Sequence, residues 1–268
     1  MEFASIFASF GSEVTVVEFL KECLPALDSD IARRLRKQLE KRGVKFHLQS
    51  SVEIIEGRQV TFERKGMVET LEADVILVAT GRAANVEELH LDAAGVRTGK
   101  NGIIVNPDTF ETTHDPSDVH IYAIGDVNGR QMLAHAATYQ GIRAVNHILG
   151  KKDHIRFDIM PAAVFTSPEA AGVGPTEDQL KAEGRGYSVH KGYYRSNGKA
   201  LAMNATEGIV KLLTDNEENI IGCHILGAHA SDMVQEIAAL MNRNTTLPQL
   251  REIVHIHPTL SEILTDIA

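Results

Sequence analysis

The sequence has 268 residues, enough for two domains or for one large α/β domain with an appendage, and its 43% apolar and 24% charged residues are ordinary for a soluble globular protein. Its net charge of −9 provides no basic surface for nucleic acid or an anionic membrane, and no apolar run is long enough to span a bilayer. The start of the chain has no signal-peptide pattern, and Cys23 and Cys223 form no CxxC motif, so we expect a cytoplasmic protein without a disulfide framework or a structural metal.

The N-terminal part alternates helical and extended patterns. Apolar residues at helical spacing between Phe3 and Phe10, followed by Gly11, predict a helix interior and its end. The β-branched stretch VTVVE, residues 14–18, predicts a strand buried on both faces. A helix over about 29–42, ended by Gly43, and a strand at KFHLQ follow.

The next stretch predicts two antiparallel strands, QVTFER and MVETLEAD, around a turn at Lys65-Gly66. VILVA, residues 75–79, predicts another buried strand that leads into TGR. Together these elements make most of a doubly wound α/β nucleotide-binding domain, which we place at residues 1–84. The first strand and the glycine-rich turn that such a domain needs before its first helix do not occur, so we expect an incomplete domain.

The central part is less regular. Residues 82–100 are loop-like, VHIYAIGD at 119–126 predicts a strand that ends in Gly-Asp, and a helix follows over about 134–149. The polar stretch KKDHIRFD, residues 151–158, predicts a boundary. We therefore expect a remnant of a central domain over residues 85–155.

Residues 156–268 predict a C-terminal α+β domain. Strands are expected at PAAVFT, YSVHKGYY, GIVKLL and IIGCHIL, and helices at about 176–183 and 231–243, with two shorter helices after them. Thr176 and Gln179 fit a capping box, and Ser231 is placed to cap the helix that follows it.

Two predicted strand ends carry acids that suit a nucleotide. Glu18 ends the VTVVE stretch, where a carboxylate can accept hydrogen bonds from ribose hydroxyls, or can be an ordinary surface glutamate. Asp126 follows Gly125 and could bind a sugar-like hydroxyl, although a turn aspartate is the more common explanation. The helix that begins near MLAHAA could present its free N–H groups to a partly anionic ring, and His135 could equally be a surface histidine.

The segment HIHPTLSEIL, residues 255–264, combines two imidazoles with a carboxylate. Pro258 favours an extended residue before it and a helix start after it, which places Glu262 one helical turn beyond Pro258. The Glu262 carboxylate can then reach His257, fix its tautomer and favour its protonated form, as a general acid–base histidine requires. Two histidines two positions apart are weak evidence for a metal site, and a helix-capping cluster in a dimer interface is the other alternative.

Four separated segments resemble one enzyme family. EFASIFASFGSEVTVVE, VILVATGR, YAIGD followed by MLAHAA, and HIHPTLSE occur in the order and approximate spacing of the FAD-dependent pyridine nucleotide–disulfide oxidoreductases. The resemblance covers essentially the whole chain, and within the family the dihydrolipoamide dehydrogenases are the most similar. It implies electron transfer between NAD(H), FAD and a dithiol or disulfide substrate in a homodimer formed by the C-terminal domain. Components of 2-oxoacid dehydrogenase complexes are the implied partners of the parent enzyme.

The resemblance also implies roles for individual residues. His257 would be the acid–base for a reactive thiol of the partner subunit, and Glu262 would orient it. Residues implied at the two nucleotides are Glu2, Glu18, Val52 and Gly81 for NAD, and Gly125, Asp126, Leu133, Ala134 and His135 for FAD.

The sequence departs from the family pattern in two respects. It contains neither the glycine-rich phosphate-binding turns nor a redox-active cysteine pair, and neither Cys23 nor Cys223 matches that pair. We therefore expect the C-terminal portion of such an enzyme, inactive as an isolated chain and poor at retaining FAD or NAD. The alternatives are a dimer-forming interaction module without catalysis, and a fragment of another disulfide reductase, such as a glutathione reductase-like enzyme. The latter usually has basic residues for NADPH where this chain has Glu18-Phe19-Leu20.

Overall fold

The structure is a computed structural model that describes residues 1–112 and 119–268. These residues form two compact units, one made of residues 1–76 and 158–268 and the other of residues 77–157. The finer division at residues 84 and 155 stays a prediction.

Residues 1–76, all of which are described, contain two helices and five strands. They are α1 (Glu2–Ser9), β1 (Thr15–Glu18), α2 (Ser29–Lys41), β2 (Lys45–Leu48), β3 (Ser50–Glu56), β4 (Gln59–Arg64) and β5 (Met67–Glu72). Strands β1 and β2 pair in parallel, and β3, β4 and β5 form an antiparallel sheet. The predicted helices and the hairpin at Lys65-Gly66 are confirmed. The sequence does not predict β3, because SSVEIIE lacks regular alternation of apolar and polar residues.

The predicted strand at residues 75–79 is wrong. This segment has no strand structure, and Val75, the first of its apolar side chains, is 81% exposed. A strand of a parallel sheet needs a neighbour that supplies backbone hydrogen bonds, and in the described residues β1 pairs with β2 alone. Strand β1, predicted to be buried on both faces, is correspondingly half-buried.

The second unit, described for residues 77–112 and 119–157, is mostly irregular. It contains 3₁₀ turns at Glu87–Leu89, Leu91–Ala94 and Gly125–Asn128, the strands β6 (Thr98–Gly99) and β7 (Gly102–Ile103), and helix α3 (Ala134–Ile148). Helix α3 is confirmed. The predicted strand at 119–126 is wrong: its middle forms a single antiparallel bridge from Tyr122 to Glu111, and its Gly-Asp end lies in a 3₁₀ turn. Hydrogen bonds from the N–H groups of Thr112 and Ala123 flank this bridge. The described residues on either side pair no further, so the two segments do not form a ladder.

Residues 158–268 form the predicted α+β arrangement and complete the first unit. Their elements are β8 (Ala162–Val164), β9 (Glu169–Val173), α4 (Glu177–Ala182), β10 (Ser188–Tyr193), α5 (Gly198–Ala202), β11 (Ile209–Thr214), β12 (Ile220–Gly227), α6 (Ala230–Asn242), α7 (Leu247–Arg251) and α8 (Glu262–Ile267). The strands make one antiparallel sheet in the order β10-β11-β12-β9-β8. Helix α6 packs on this sheet through Met233, Ile237 and Met241, which recur at helical spacing.

The two predicted helix caps of this part have different outcomes. The capping box of α4 is confirmed, with Thr176 and Gln179 exchanging hydrogen bonds of 3.1 and 2.8 Å. The prediction for Ser231 is wrong, because His229 is the residue before α6 and Ser231 donates its hydroxyl to Glu169 at 2.7 Å instead. Glu169 belongs to β9, a strand whose EAAGV sequence lacks the β-branched content that would predict it.

Helix α2 joins the N-terminal part of the first unit to the five-stranded sheet. Ile31, Leu35 and Leu39, one helical turn apart, are fully buried. They pack in one cluster with Ile209 of β11 and Leu226 of β12. Burial of each such side chain contributes about 1.5–3 kcal/mol, so this apolar stripe is a main stabiliser of the first unit.

A buried ion cluster lies where α2 and α4 begin. Lys211 Nζ is 2.8 Å from both carboxylate oxygens of Asp28 and 2.7 Å from Glu177 Oε2, and Asp28 is completely buried. Asp28 also accepts backbone N–H bonds from Asp30 and Glu177, each 3.1 Å long, so it caps α2 and binds the first N–H of α4. Burial opposes the charge on Lys211, but its bonds to the two carboxylates raise its pKa above the ordinary value.

The cluster predicts a loss of stability in acid. Hydrogen bonds from Lys181 and Lys211 lower the pKa of Glu177 from 4.5 to about 2. Because the folded-state pKa is the lower one, this group stabilises the fold above about pH 4.5, and the contribution is lost as the pH falls toward 2. We expect the unfolding free energy to fall by about 1 kcal/mol through Glu177 between about pH 6 and about pH 3, after allowance for solvent screening.

Urea unfolding at the two pH values measures this effect. The control is Glu177→Gln, which keeps the side-chain size but has no carboxylate to protonate, so its loss between the two pH values should be smaller by that amount. Equal losses in the two proteins would show that Glu177 is not the linked group.

Candidate functional site

The C-terminal segment brings His257 and Glu262 together. His257 Nδ1 lies 2.8 Å from Glu262 Oε1, so the contact predicted from the sequence is present. Because a carboxylate only accepts hydrogen bonds, we assign the proton to Nδ1, which leaves the lone pair of the neutral ring on Nε2. The His257 side chain is 80% exposed, and no residue in the described ranges bonds to its Nε2. The ring is therefore ready to take or give a proton at Nε2.

Glu262 reaches the ring from the first residue of helix α8, across a loop rather than across a helical turn. Helix α8 begins at Glu262 itself, four residues later than Pro258 predicts. The second carboxylate oxygen accepts the Thr259 N–H at 2.7 Å, which closes the loop over residues 258–261. Hydrogen bonds from the Thr259 N–H and from His257 lower the pKa of Glu262, so its carboxylate is charged at neutral pH.

His255 has a different environment, although it lies only two residues away. Its side chain is buried, with Nε2 2.7 Å from Glu236 Oε1 and Nδ1 2.7 Å from Thr265 Oγ1. Both ring nitrogens therefore have partners, and His255 is a structural histidine. No group of three or more His, Cys, Asp or Glu side chains in residues 1–112 and 119–268 is placed to hold a metal ion.

Glu18 occupies the carboxyl end of β1. In sheets of parallel strands, ligands bind at this end. One Glu18 oxygen accepts the Leu20 N–H at 2.8 Å, and the other has no hydrogen bond to a described residue. The half-buried carboxylate can thus accept hydrogen bonds from a ribose.

The other three residues implied for NAD are placed separately. Glu2 accepts the Phe165 N–H at 2.8 Å, so its carboxylate ties α1 to the segment after β8. Val52 is exposed on β3. Gly81, in the second unit, has a φ of +115° and open space where a Cβ would lie. Within the first unit, Glu2 and Val52 make no hydrogen bond to each other.

Gly125 and Asp126 lie in a 3₁₀ turn that buried amides hold. The Gly125 N–H donates to Gln140 Oε1 at 2.8 Å, and the Asn128 side chain donates to the same oxygen at 2.8 Å. Gly125 has a φ of +74°, and a Cβ there would approach Ala137 to 3.2 Å, so any other residue would be strained at this position. Asp126 is exposed beside it.

Helix α3 begins next to this turn in the chain. Leu133 is its N-cap and provides no side-chain cap, and Ala134 and His135 form an exposed first turn with the partial positive charge of a helix start. The Nε2 atom of the buried Gln140 has no partner in the part of the chain that the structure describes. A buried donor without an acceptor is costly, and an acceptor brought to this atom would remove that cost. The sequence gives no signal for Gln140, because it acts from more than ten positions away.

The two cysteines are poor candidates for redox chemistry. Both are buried and unpaired with each other. Burial raises the pKa of Cys23 to about 11 and raises that of Cys223 as well, so neither thiol forms a reactive thiolate at neutral pH. Within the described ranges, no helix has the length and apolar character needed to cross a bilayer.

Two family models match the chain. Residues 1–141 match the model described as "Pyridine nucleotide-disulphide oxidoreductase", and residues 160–268 match the model of the dimerisation domain of the same family.

Individual relatives agree with these models. Dihydrolipoyl dehydrogenase 2, mitochondrial, of Arabidopsis thaliana is 38% identical over all of this chain and 54% of its own length. Leghemoglobin reductase of Glycine max is 37% identical over all of this chain and 52% of its own length. The crystal structure of LpdA from Mycobacterium tuberculosis superposes with a TM-score of 0.88 at 28% identity, covering 99% of this chain and 58% of that one. The chain thus spans about half the length of the curated relatives that it matches.

Proposed function

The chain belongs to the pyridine nucleotide–disulphide oxidoreductase family, and from that premise we propose that the complete protein is an NAD-dependent dihydrolipoamide dehydrogenase or a close functional equivalent. The observation that carries the proposal is the His257–Glu262 pair, with Nε2 of the imidazole exposed and unbonded within the described residues. The mitochondrial Arabidopsis relative carries the same activity in its name.

In this proposal His257 accepts a proton that the dithiol releases. Oxidation of a dithiol to a disulfide releases two protons and two electrons. Bound FAD and NAD would take up both electrons and one of the protons, and the other proton would go to solvent through His257 Nε2. Glu262 accepts a hydrogen bond from the proton on Nδ1 and so keeps Nε2 as the atom that exchanges protons. When bound, FAD and NAD supply the electron and hydride transfer.

The sulfur centre comes from outside these 268 residues. Both cysteines of the chain are buried with raised pKa values, so neither supplies the thiolate. We place the centre on a partner subunit of a homodimer. The match to a dimerisation domain supports this, as do Val254 and Ile256, which expose apolar side chains just before the exposed His257. Components of a 2-oxoacid dehydrogenase complex are the proposed larger partners, and two unpaired cysteines favour the cytoplasm as the compartment.

The described residues fit parts of the two nucleotides. Glu18 would accept the ribose hydroxyls of NAD, Asp126 would hold a hydroxyl of FAD, and the start of α3 at Ala134 and His135 would face its partly anionic ring. No glycine-rich turn in the sequence fits a pyrophosphate. Purified alone, the 268-residue polypeptide is therefore expected to be colourless, dimeric and inactive.

Assay of the complete gene product tests the function. We expect NAD⁺-dependent oxidation of dihydrolipoamide, and little reduction of glutathione disulfide with NADPH. The opposite preference would make the protein a glutathione reductase-like enzyme. Absence of both activities in a flavin-loaded protein would support the interaction-only alternative.

Replacement of Glu18 by serine tests the nucleotide assignment. The loss of charge-assisted hydrogen bonds, worth about 1.5–3 kcal/mol, should raise the KM for NAD⁺ by roughly tenfold or more and weaken discrimination against NADP⁺. Glu13→Ser is the matched control, since Glu13 is a highly exposed acid before the same strand. Equal KM values in the two variants would remove Glu18 from the NAD site.

A further inference from the structure

Glu236 on α6 makes hydrogen-bonded contacts on both sides of the loop that carries His257. Its Oε1 atom is 2.7 Å from His255 Nε2, and its Oε2 atom accepts the Ser261 hydroxyl at 2.8 Å. These two partners lie two residues before His257 and four residues after it. A single carboxylate therefore fixes the separation between the two sides of the loop.

Helix α6, which carries Glu236, is firmly packed. Helix α6 packs on the five-stranded sheet, and Val234 and Ile237, the close neighbours of Glu236 in the chain, are buried in the main core. His255 is held from its other ring nitrogen by Thr265, which belongs to α8. The Glu236 carboxylate lies on helix α6, and the His255 imidazole bonds to helix α8, so each of the two groups is connected to a helix.

A second hydrogen-bonded contact holds the middle of the loop. Asn197, which is almost fully buried before α5, donates from Nδ2 to the Thr259 carbonyl at 3.0 Å and accepts the Ala200 N–H at 2.9 Å. Thr259 in turn donates its N–H to Glu262. The carboxylate that orients His257 is thus connected through Thr259 to a buried asparagine of a different helix.

The pair itself is weakly restrained. His257 is mostly exposed, and Glu262 is the one described residue that bonds to its ring. An exposed ion pair normally contributes little, since solvent competes and two mobile side chains must be ordered. The geometry of the loop therefore decides whether the pair persists.

From these contacts we propose that Glu236 is a positioning residue, which keeps the Glu262 carboxylate on His257 Nδ1 and so holds the imidazole in the tautomer with a free Nε2. The inference deepens the proposed function, because the importance of that tautomer rests on His257 being the acid–base. It also assigns different roles to the two histidines of the segment: His255 is the structural contact of Glu236, and His257 is the acid–base group.

The experiment reads the tautomer directly. The 268-residue protein, labelled with ¹⁵N at histidine, is studied by NMR at about pH 8.5, some two units above an ordinary imidazole pKa. Wild type should show His257 mainly as the Nδ1–H form. Glu262→Ala, which removes the acceptor, sets the full effect, a fall of about tenfold or more in the ratio of the Nδ1–H to the Nε2–H form.

The variants Glu236→Gln and Ser261→Ala test the positioning role of Glu236. Glutamine has one acceptor oxygen and no charge, so it cannot accept from both His255 and Ser261 and any bond it keeps is weaker. We therefore expect at least about a threefold fall in the His257 ratio, although neither variant touches His257. Asp232→Asn is the matched control on the same helix, because Asp232 is exposed and contacts only His229 among the described residues; it should leave the ratio unchanged. If Glu236→Gln fails to fold, Ser261→Ala decides.

Unchanged ratios in folded Glu236→Gln and Ser261→Ala proteins would overturn the proposal, as would a wild-type His257 that is mainly Nε2–H. A fall as large in Asp232→Asn would also overturn it, since the effect would then follow any loss of charge on α6. The readout needs neither substrate nor cofactor, so a failed positioning role can be told apart from a failed enzymatic assignment.

Discussion

Replacement of His257 by glutamine is expected to lower kcat of the complete protein with dihydrolipoamide by about 10²- to 10⁴-fold, the usual contribution of a positioned general acid–base. Glutamine has a similar size and can still meet Glu262, but its amide does not titrate. The steady-state rate of NADH formation measures the effect. Because His257 is mostly exposed, the substitution should leave the unfolding free energy nearly unchanged.

His229→Gln is the matched control for this variant. His229 is also an exposed imidazole beside a carboxylate, with Nδ1 3.3 Å from Asp232, yet it lies before α6 and has no proposed chemical role. Its kcat should stay close to that of the wild type. A His257→Gln enzyme that keeps more than about a tenth of the activity would contradict the proposed role.

Replacement of Lys211 by methionine is expected to lower the unfolding free energy by about 3–5 kcal/mol, because the Asp28 carboxylate would stay buried without its counter-ion. Lys211 is 2% exposed and Asp28 is completely buried, so solvent cannot take over the lost contacts. Methionine keeps the apolar length of the side chain, which confines the change to the ammonium group. Urea unfolding at neutral pH measures the loss.

Lys191→Met provides the comparison for Lys211. Lys191 sits directly opposite Lys211 in the pairing of β10 with β11, and it contacts Asp30 at 3.1 Å near the protein surface. An exposed pair of this kind contributes about 0–1 kcal/mol. Similar losses in the two variants would mean that burial of the Asp28 ion cluster is not what makes Lys211 important.

The sequence predicts well the elements whose signals are local. Helix α2 follows from apolar residues one turn apart with Gly43 at the end, and the hairpin follows from Lys65-Gly66 between alternating segments. The strands predicted at 75–79 and 119–126 fail for a shared reason. An apolar run becomes a strand only when another strand pairs with it, and this information lies elsewhere in the chain.

The same distinction separates the parts of the candidate site. Contact between His257 and Glu262 can be predicted because the two residues are five positions apart. Glu236 and Asn197 cannot be found that way, since they reach the loop from different helices, 19 or more positions away. Glutamate is common within helices and asparagine at helix starts, so neither residue gives a signal until the fold places it.

The most direct test of the His257–Glu262 proposal compares two half-reactions of the complete protein. Reduction by dihydrolipoamide and reduction by NADH are each followed as the loss of flavin absorbance after rapid mixing. The account predicts that His257→Gln slows the dithiol half-reaction by about 10²-fold or more and leaves the NADH half-reaction within about twofold, because only the thiol must give up a proton to the imidazole. Equal slowing of both half-reactions, or no slowing of the dithiol step, would contradict it.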